Sequence, residues 1–124
     1  MKIKNMRRAG FTLVEIMIVV AIIGLLAAIA IPNFVKARNT AQSNACINNM
    51  RQIESAIQQW ALETRKKDTD GIVSASIALY IKGEKMPECP GGGEYRLANE
   101  VRANPGVTCT LADQPSLGAH KLGQ

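Results

Sequence analysis

From Phe11 to Ile31 the chain runs through 21 residues, of which only Thr12 and Glu15 are polar. About 20 apolar residues in a helix cross the hydrocarbon core of a bilayer, so this stretch is read as a membrane-spanning helix. Lys2, Lys4, Arg7 and Arg8 precede it. Lysine and arginine stay on the cytoplasmic face, which predicts that the body of the chain lies outside the cytoplasm. Glu15 is the misfit. A carboxylate inside an apolar helix costs a few kcal/mol on insertion scales unless it is paired or protonated. Proximity to the positive end of the helix dipole is one account of it.

A sharper account comes from its neighbours. Gly10-Phe11-Thr12-Leu13-Val14-Glu15, set between the basic head and the apolar helix, resembles the cleavage and methylation signature of type IV pilin-like proteins. These comprise type IV pilins, type II secretion pseudopilins and competence pseudopilins, and the similarity extends over residues 7–34. The resemblance implies that a prepilin peptidase cuts between Gly10 and Phe11 on the cytoplasmic face and methylates the new amino group of Phe11. It also implies that Glu15 helps recruit a subunit by meeting the N-terminal ammonium of a neighbour. In the family, the positions matching Gly24 and Pro32 bound a segment that can lose helical structure in the filament.

Physical chemistry agrees with the pairing. A lone carboxylate and a lone ammonium are each costly in hydrocarbon, and each relieves the other when they meet between chains. Only one axial offset brings Glu15 to Phe11, so the pair would also set subunit register. Two plainer readings compete. Ala28-Ile29-Ala30 resembles a signal-peptidase site, but the apolar run exceeds the usual 7–15 residues, contains Glu15 and is closely followed by Pro32. A simple membrane anchor leaves the Gly-Phe-Thr-Leu-Val-Glu sequence unexplained.

Beyond Ile31 the helical pattern continues, with a kink expected at Pro32, which crowds the carbonyl of Ala28. Gly24 is a second weak point. A static kink and a segment that bends or stretches during packing are both compatible with these two residues. Phe34, Ala37, Ala41 and Ala45 form the early part of an apolar stripe. Cys46, Met50, Ile53, Ile57 and Trp60 continue it in steps of four and three, which reads as core. Arg38, Gln42, Asn48, Asn49, Arg51, Gln52, Glu54 and Gln58 lie between as a solvated or interchain polar set. A helix from Phe11 to about Arg65 would span roughly 80 Å. A small monomer cannot bury such a rod, whose apolar half needs lipid and then other copies of itself. Head-to-tail contacts that do not close generate open helical assemblies.

At 124 residues the chain has room for one small domain. The formal charge of +5 at first suggests nucleic acid or an anionic surface. Four of the 15 basic residues sit within residues 1–10, which hold no acid, so the remainder is nearly neutral and no nucleic-acid partner is implied. Arg65-Lys66-Lys67-Asp68-Thr69-Asp70-Gly71 ends the helix. Asp68-Thr69-Asp70-Gly71 lacks the remaining ligands of a calcium loop and reads as a polar turn. Ile72 to Ile81 is a short second helix or mixed turn. Short strands fit Glu94–Leu97 and Val107–Leu111, enough for one hairpin packed on the long helix. Gly91-Gly92-Gly93 lacks the Lys-Ser/Thr of a phosphate cradle.

Of the three cysteines, Cys89 and Cys109 are the favoured disulfide pair, closing a loop of roughly 20 residues worth about 3 kcal/mol. Cys46 is then left over, and three free thiols are the alternative. No metal set is read: there is no CxxC pair, and the single histidine, His120, reads as a solvated tail residue. Calcium, often bound near the C-terminus of the family's major pseudopilins, is not carried over, because Asp113 is the sole aspartate after Asp70. No catalytic constellation and no cofactor emerge.

The expected fold is α+β: a long N-terminal helix, membrane-spanning in its first half, with a small head containing an antiparallel hairpin. The expected divisions are a cleaved leader (1–10), a transmembrane assembly helix (11–31), its amphipathic continuation (32–66) and the head (67–124). The resemblance implies a structural subunit of a helical filament, foremost a type II secretion pseudopilin, with a surface type IV pilin or competence pseudopilin as alternatives. Its implied partners are further copies of the chain, the prepilin peptidase, and the inner-membrane assembly platform with its secretion ATPase. The implied location is the inner membrane, N-terminus cytoplasmic and head periplasmic, before entry into a periplasmic or cell-surface filament. A secreted or membrane-tethered binding module is the alternative of another class, with a mature N-terminus near Ile31 or at Met1.

Overall fold

The computed structural model of the protein describes residues 9–114, 118 and 120–122. The basic residues Lys2, Lys4, Arg7 and Arg8 therefore lie outside the described residues. Helix α1 covers Leu13–Glu63 and contains Pro32. The chain divides into one compact unit ending at Val35 and another beginning at Lys36.

In the first unit the side chains of α1 find almost no cover within the chain. Its most apolar window has a mean hydropathy of 2.9 and is wholly unburied. Ile16, Leu25, Ile29 and Ile31 are all exposed. The helix is long and apolar enough to cross a membrane, and its side chains need lipid or protein around them. Both Gly24 and Pro32 sit inside α1, and a Cβ at Gly24 would meet nothing.

The second unit is built on the rest of α1. Cys46, Met50, Ile53, Ile57 and Trp60 are buried as their spacing predicts, joined by Ser43, Ala56 and Ala61. The alanine part of the expected stripe behaves differently. Ala37 and Ala41 are exposed and Ala45 only half-buried. At that level the helix turns Ser43 inward instead, beneath Gly118.

Helix α1 ends through Arg65 rather than a glycine. Arg65 takes a left-handed φ of 51°, while Lys66 N–H donates to the Ala61 carbonyl (2.9 Å) and Arg65 N–H to Leu62 (3.3 Å). These two bonds satisfy carbonyls that a helix end otherwise leaves open. Lys66 Nζ also lies 5.4 Å from the centre of the Trp60 ring. Asp70 closes a local turn, accepting from Lys67 N–H at 2.9 Å.

Helix α2, Ser74–Ala78, falls within the expected 72–81 segment and buries Ile77. Strands β1 (Tyr95–Leu97) and β2 (Val107–Cys109) pair antiparallel, with Tyr95 opposite Cys109 and Leu97 opposite Val107. Thr110 N–H donates to the Glu94 carbonyl at 3.0 Å, which carries the pairing one residue further. The period-two alternation of β2 buries Val107 and Cys109 and exposes Thr108. Together α1, α2, β2 and the 86–93 loop enclose one small core.

Candidate functional site

Among the described residues two places concentrate polar chemistry, and the first is the start of α1. Thr12 N–H and Thr12 Oγ1 both donate to Glu15 Oε2, at 2.7 and 3.0 Å. Glu15 N–H donates back to Thr12 Oγ1 at 3.2 Å. This is a reciprocal capping box, in which the residue before the helix and the third residue within it satisfy each other's backbone donors. The Thr-x-x-Glu spacing announces such a cap, which the expectations drawn from the sequence did not include. Glu15 thus has a role within its own chain, which differs from the intermolecular one that the sequence led us to expect. Gly10 and Phe11 precede the helix; Phe11 is 86% exposed, and nothing crowds Gly10.

The second place is inside the head. Cys46 from α1, Cys89 from the loop before β1, Cys109 from the end of β2 and His120 from the tail converge, with one ligand atom of each lying within 4.8 Å of all the others. Cys89 Sγ stands 3.5 Å from His120 Nδ1 and 3.7 Å from Cys109 Sγ. All four residues are buried, and the three cysteines are free thiols. Two expectations are corrected here. His120 is not a solvated tail residue: its exposure is 0%. Nor is the chain without a metal-type donor set, because residues too distant in sequence to form a spacing motif meet in space. Cys46, left over in the sequence, is a full member.

The surroundings explain how the loop is held. Asn49 Nδ2 donates to the Glu88 carbonyl (3.1 Å) and Gln42 Nε2 to the Pro90 carbonyl (3.2 Å), one on each side of Cys89. Residues 42, 46 and 49 share one helix face by their spacing. Two members of the expected solvated or interchain polar set are therefore clamps that hold Cys89 over Cys46. Two of the three glycines, Gly91 and Gly93, have a packing reason, and Gly92 a conformational one. A Cβ at Gly93 would lie 2.9 Å from Cys109 Sγ, and one at Gly91 would lie 3.0 Å from His120 Cε1. Gly92 has a left-handed φ of 86°. Lys121 beside His120 pairs with Asp113 at 2.7 Å, and Leu122 packs on the core.

The thiols do not share one electrostatic environment. Burial pushes the Cys46 thiol up to about 12. Burial likewise raises Cys109, only partly offset by Leu111 N–H. Burial opposes the Cys89 thiolate too, but the N–H groups of Gly93 and Gly91, with the neighbouring thiols, outweigh it and hold Cys89 below the usual thiol value. Thiolates that accept backbone N–H bonds are stabilised in this way.

The fold is α+β and pilin-like, and comparison with known proteins agrees. The prokaryotic N-terminal methylation motif matches residues 5–31. The type IV major pilin protein PilA of Myxococcus xanthus (strain DK1622) is 52% identical over 122 residues, covering 94% of this chain and 54% of the relative. The chain thus spans about half the length of that pilin. The type IV major fimbrial protein FimA of Dichelobacter nodosus is 32% identical over 122 residues, 90% of this chain and 75% of the relative. The type II secretion system core protein G of Klebsiella pneumoniae is 30% identical over 104 residues, 73% of this chain and 74% of the relative. No solved structure matches the chain at a significant level. The chain belongs to the family of type IV pilins and type II secretion pseudopilins, whose members are structural proteins rather than enzymes.

Proposed function

We propose that the protein is a structural subunit of a pilus-like filament, polymerised from the inner membrane after cleavage between Gly10 and Phe11 and methylation of Phe11. The observation that carries this reading is the unburied apolar helix of the first unit, directly behind a methylation-type N-terminal motif. A helix with 0% of its most apolar window covered by its own chain requires lipid before assembly and neighbouring copies after it. Glu15 rests its carboxylate on Thr12 in the single chain, and in the filament that carboxylate would turn to the ammonium of Phe11 on an adjacent subunit. Gly24 and Pro32 would let the intervening helix loosen as subunits pack.

Within the filament systems, the 52% identity to a type IV major pilin supports a surface pilin. A type II secretion pseudopilin is the second reading, supported by core G proteins that match at 27–30% identity over about three quarters of this chain. Either machine would supply a prepilin peptidase, an inner-membrane platform and a cytoplasmic ATPase.

N-terminal peptide mass analysis of protein recovered from membranes tests the shared part of the proposal. A mature chain beginning at methylated Phe11 is expected. A start near Ile31, or an uncut Met1, refutes it and leaves a secreted or tethered module. Shearing of intact cells then divides the two machines, since a surface pilin is released with the sheared filaments and a periplasmic pseudopilin is retained.

A further inference from the structure

We propose that Cys46, Cys89, Cys109 and His120 form a structural Zn²⁺ site that fastens the loop before β1, the hairpin and the tail to helix α1. The geometry is the first argument. Zinc bonds of about 2.3 Å to sulfur and 2.0–2.1 Å to nitrogen, at tetrahedral angles, require S···S edges of about 3.8 Å and S···N edges of about 3.6 Å. The head shows 3.7 Å between Cys89 Sγ and Cys109 Sγ and 3.5 Å between Cys89 Sγ and His120 Nδ1. Two sulfurs joined in a disulfide stand about 2.05 Å apart. A Cys89–Cys109 disulfide would also leave Cys46 and His120 without a part in a cluster that all four residues enter.

The second argument is the way the shell is built. Gly91 and Gly93 leave the loop no side chain where Cys109 and His120 must sit, and Gln42 and Asn49 clamp the carbonyls on both sides of Cys89. Three buried thiols acting only as small apolar fillers would need no histidine among them and no such clamps.

Chemistry selects the ion. Three thiolates and an imidazole favour a soft or borderline cation over magnesium or calcium. Four protein ligands buried together leave no open coordination position, which marks a structural rather than a catalytic centre. The four ligands come from four separate segments of a head with a small core, where one ion stabilises most. The site is independent of which filament machine the subunit serves.

The test uses the untagged full chain, extracted from membranes in detergent without chelator. Elemental analysis is expected to find about one zinc per chain. Three thiols should resist alkylation until a chelator is added. Cobalt(II) exchanged into the site should give the intense visible absorption of a four-coordinate thiolate centre. Cys46→Ser and His120→Ala should each weaken zinc binding by more than the roughly 10–100-fold that loss of an outer partner costs. A Cys89–Cys109 cross-linked peptide in protein lacking zinc overturns the proposal. So does zinc whose amount and affinity are unchanged in both variants, and so does stoichiometric copper or iron in place of zinc. Because the wild-type chain is assayed directly, a variant that fails to fold does not shelter the idea.

Discussion

Gly93→Ala should destabilise the head through one defined clash. The added Cβ would lie 2.8 Å from Leu111 Cγ, 2.9 Å from Cys109 Sγ and 3.1 Å from Leu111 Cδ1. Carbon contacts are comfortable at about 3.5–4.0 Å, so each is well inside the repulsive wall. Cys109 is buried at the end of β2, and Cγ is the branch point of Leu111 rather than its flexible tip. Overpacking of this kind costs about 1–3 kcal/mol. The stiffer unfolded chain returns about 0.4–1 kcal/mol, which leaves a net loss of about 1–2 kcal/mol. Gly106→Ala is the matched control, since its Cβ would meet Ile57 Cδ1 at 3.5 Å and the Ala103 carbonyl at 3.7 Å, both ordinary contacts. The assay is urea unfolding of the full chain in detergent, followed by Trp60. That residue is the single tryptophan and is 5% exposed in the head core. With a denaturant slope of about 2 kcal/mol/M, the Gly93 midpoint should fall by about 0.5–1 M. The Gly106 midpoint should hold or rise. Equal midpoints for the two variants would refute the close-packing account of Gly93.

Two further outcomes follow from the polar contacts. Thr12→Val removes the two capping-box bonds that use Oγ1 and leaves the one from Thr12 N–H to Glu15, and should cost about 1 kcal/mol at the start of α1; amide exchange over residues 13–16 in micelles should quicken about fivefold, Thr12→Ser should largely restore it, and unchanged exchange would sink the cap. Tyr80 is held above the ordinary tyrosine value by its hydrogen bond to the Glu63 carboxylate and by partial burial. Its native proton is retained more firmly, so the stability this contact adds is complete below about pH 10, the unfolded value, and is lost as pH rises through the raised native one. In Glu63→Gln the ultraviolet titration of Tyr80 should move down in pH, and an unmoved curve would remove Glu63 as the cause.

The membrane-length helix, its buried stripe from Cys46 to Trp60 and the two short strands are all legible in the order of the residues. Each is written in adjacent positions. An apolar run of bilayer length, apolar positions three and four apart, and strand segments bracketed by glycine and proline are local patterns, and the burial of Ile53 or Val107 follows from period alone. The cap formed by Thr12 is legible in the same way, because its spacing from Glu15 is a known cap signature.

The head's polar centre is not legible there, for a physical reason. Cys46 and His120 are 74 positions apart, and nothing in the residues near His120 says that the tail returns to α1. Spacing can reveal a metal set only when neighbouring ligands share a turn or knuckle, and here four separate segments supply one ligand each. The inward roles of Gln42 and Asn49 are hidden likewise, because a polar residue on a helix looks solvated until a loop carbonyl arrives to accept from it. The sequence by itself determined what must meet lipid, and where the helix and strands could lie, because those depend on the transfer chemistry and period of consecutive residues. Only the tertiary structure decided that three thiols and an imidazole share one buried point, because chain folding, not spacing, sets the distances between them.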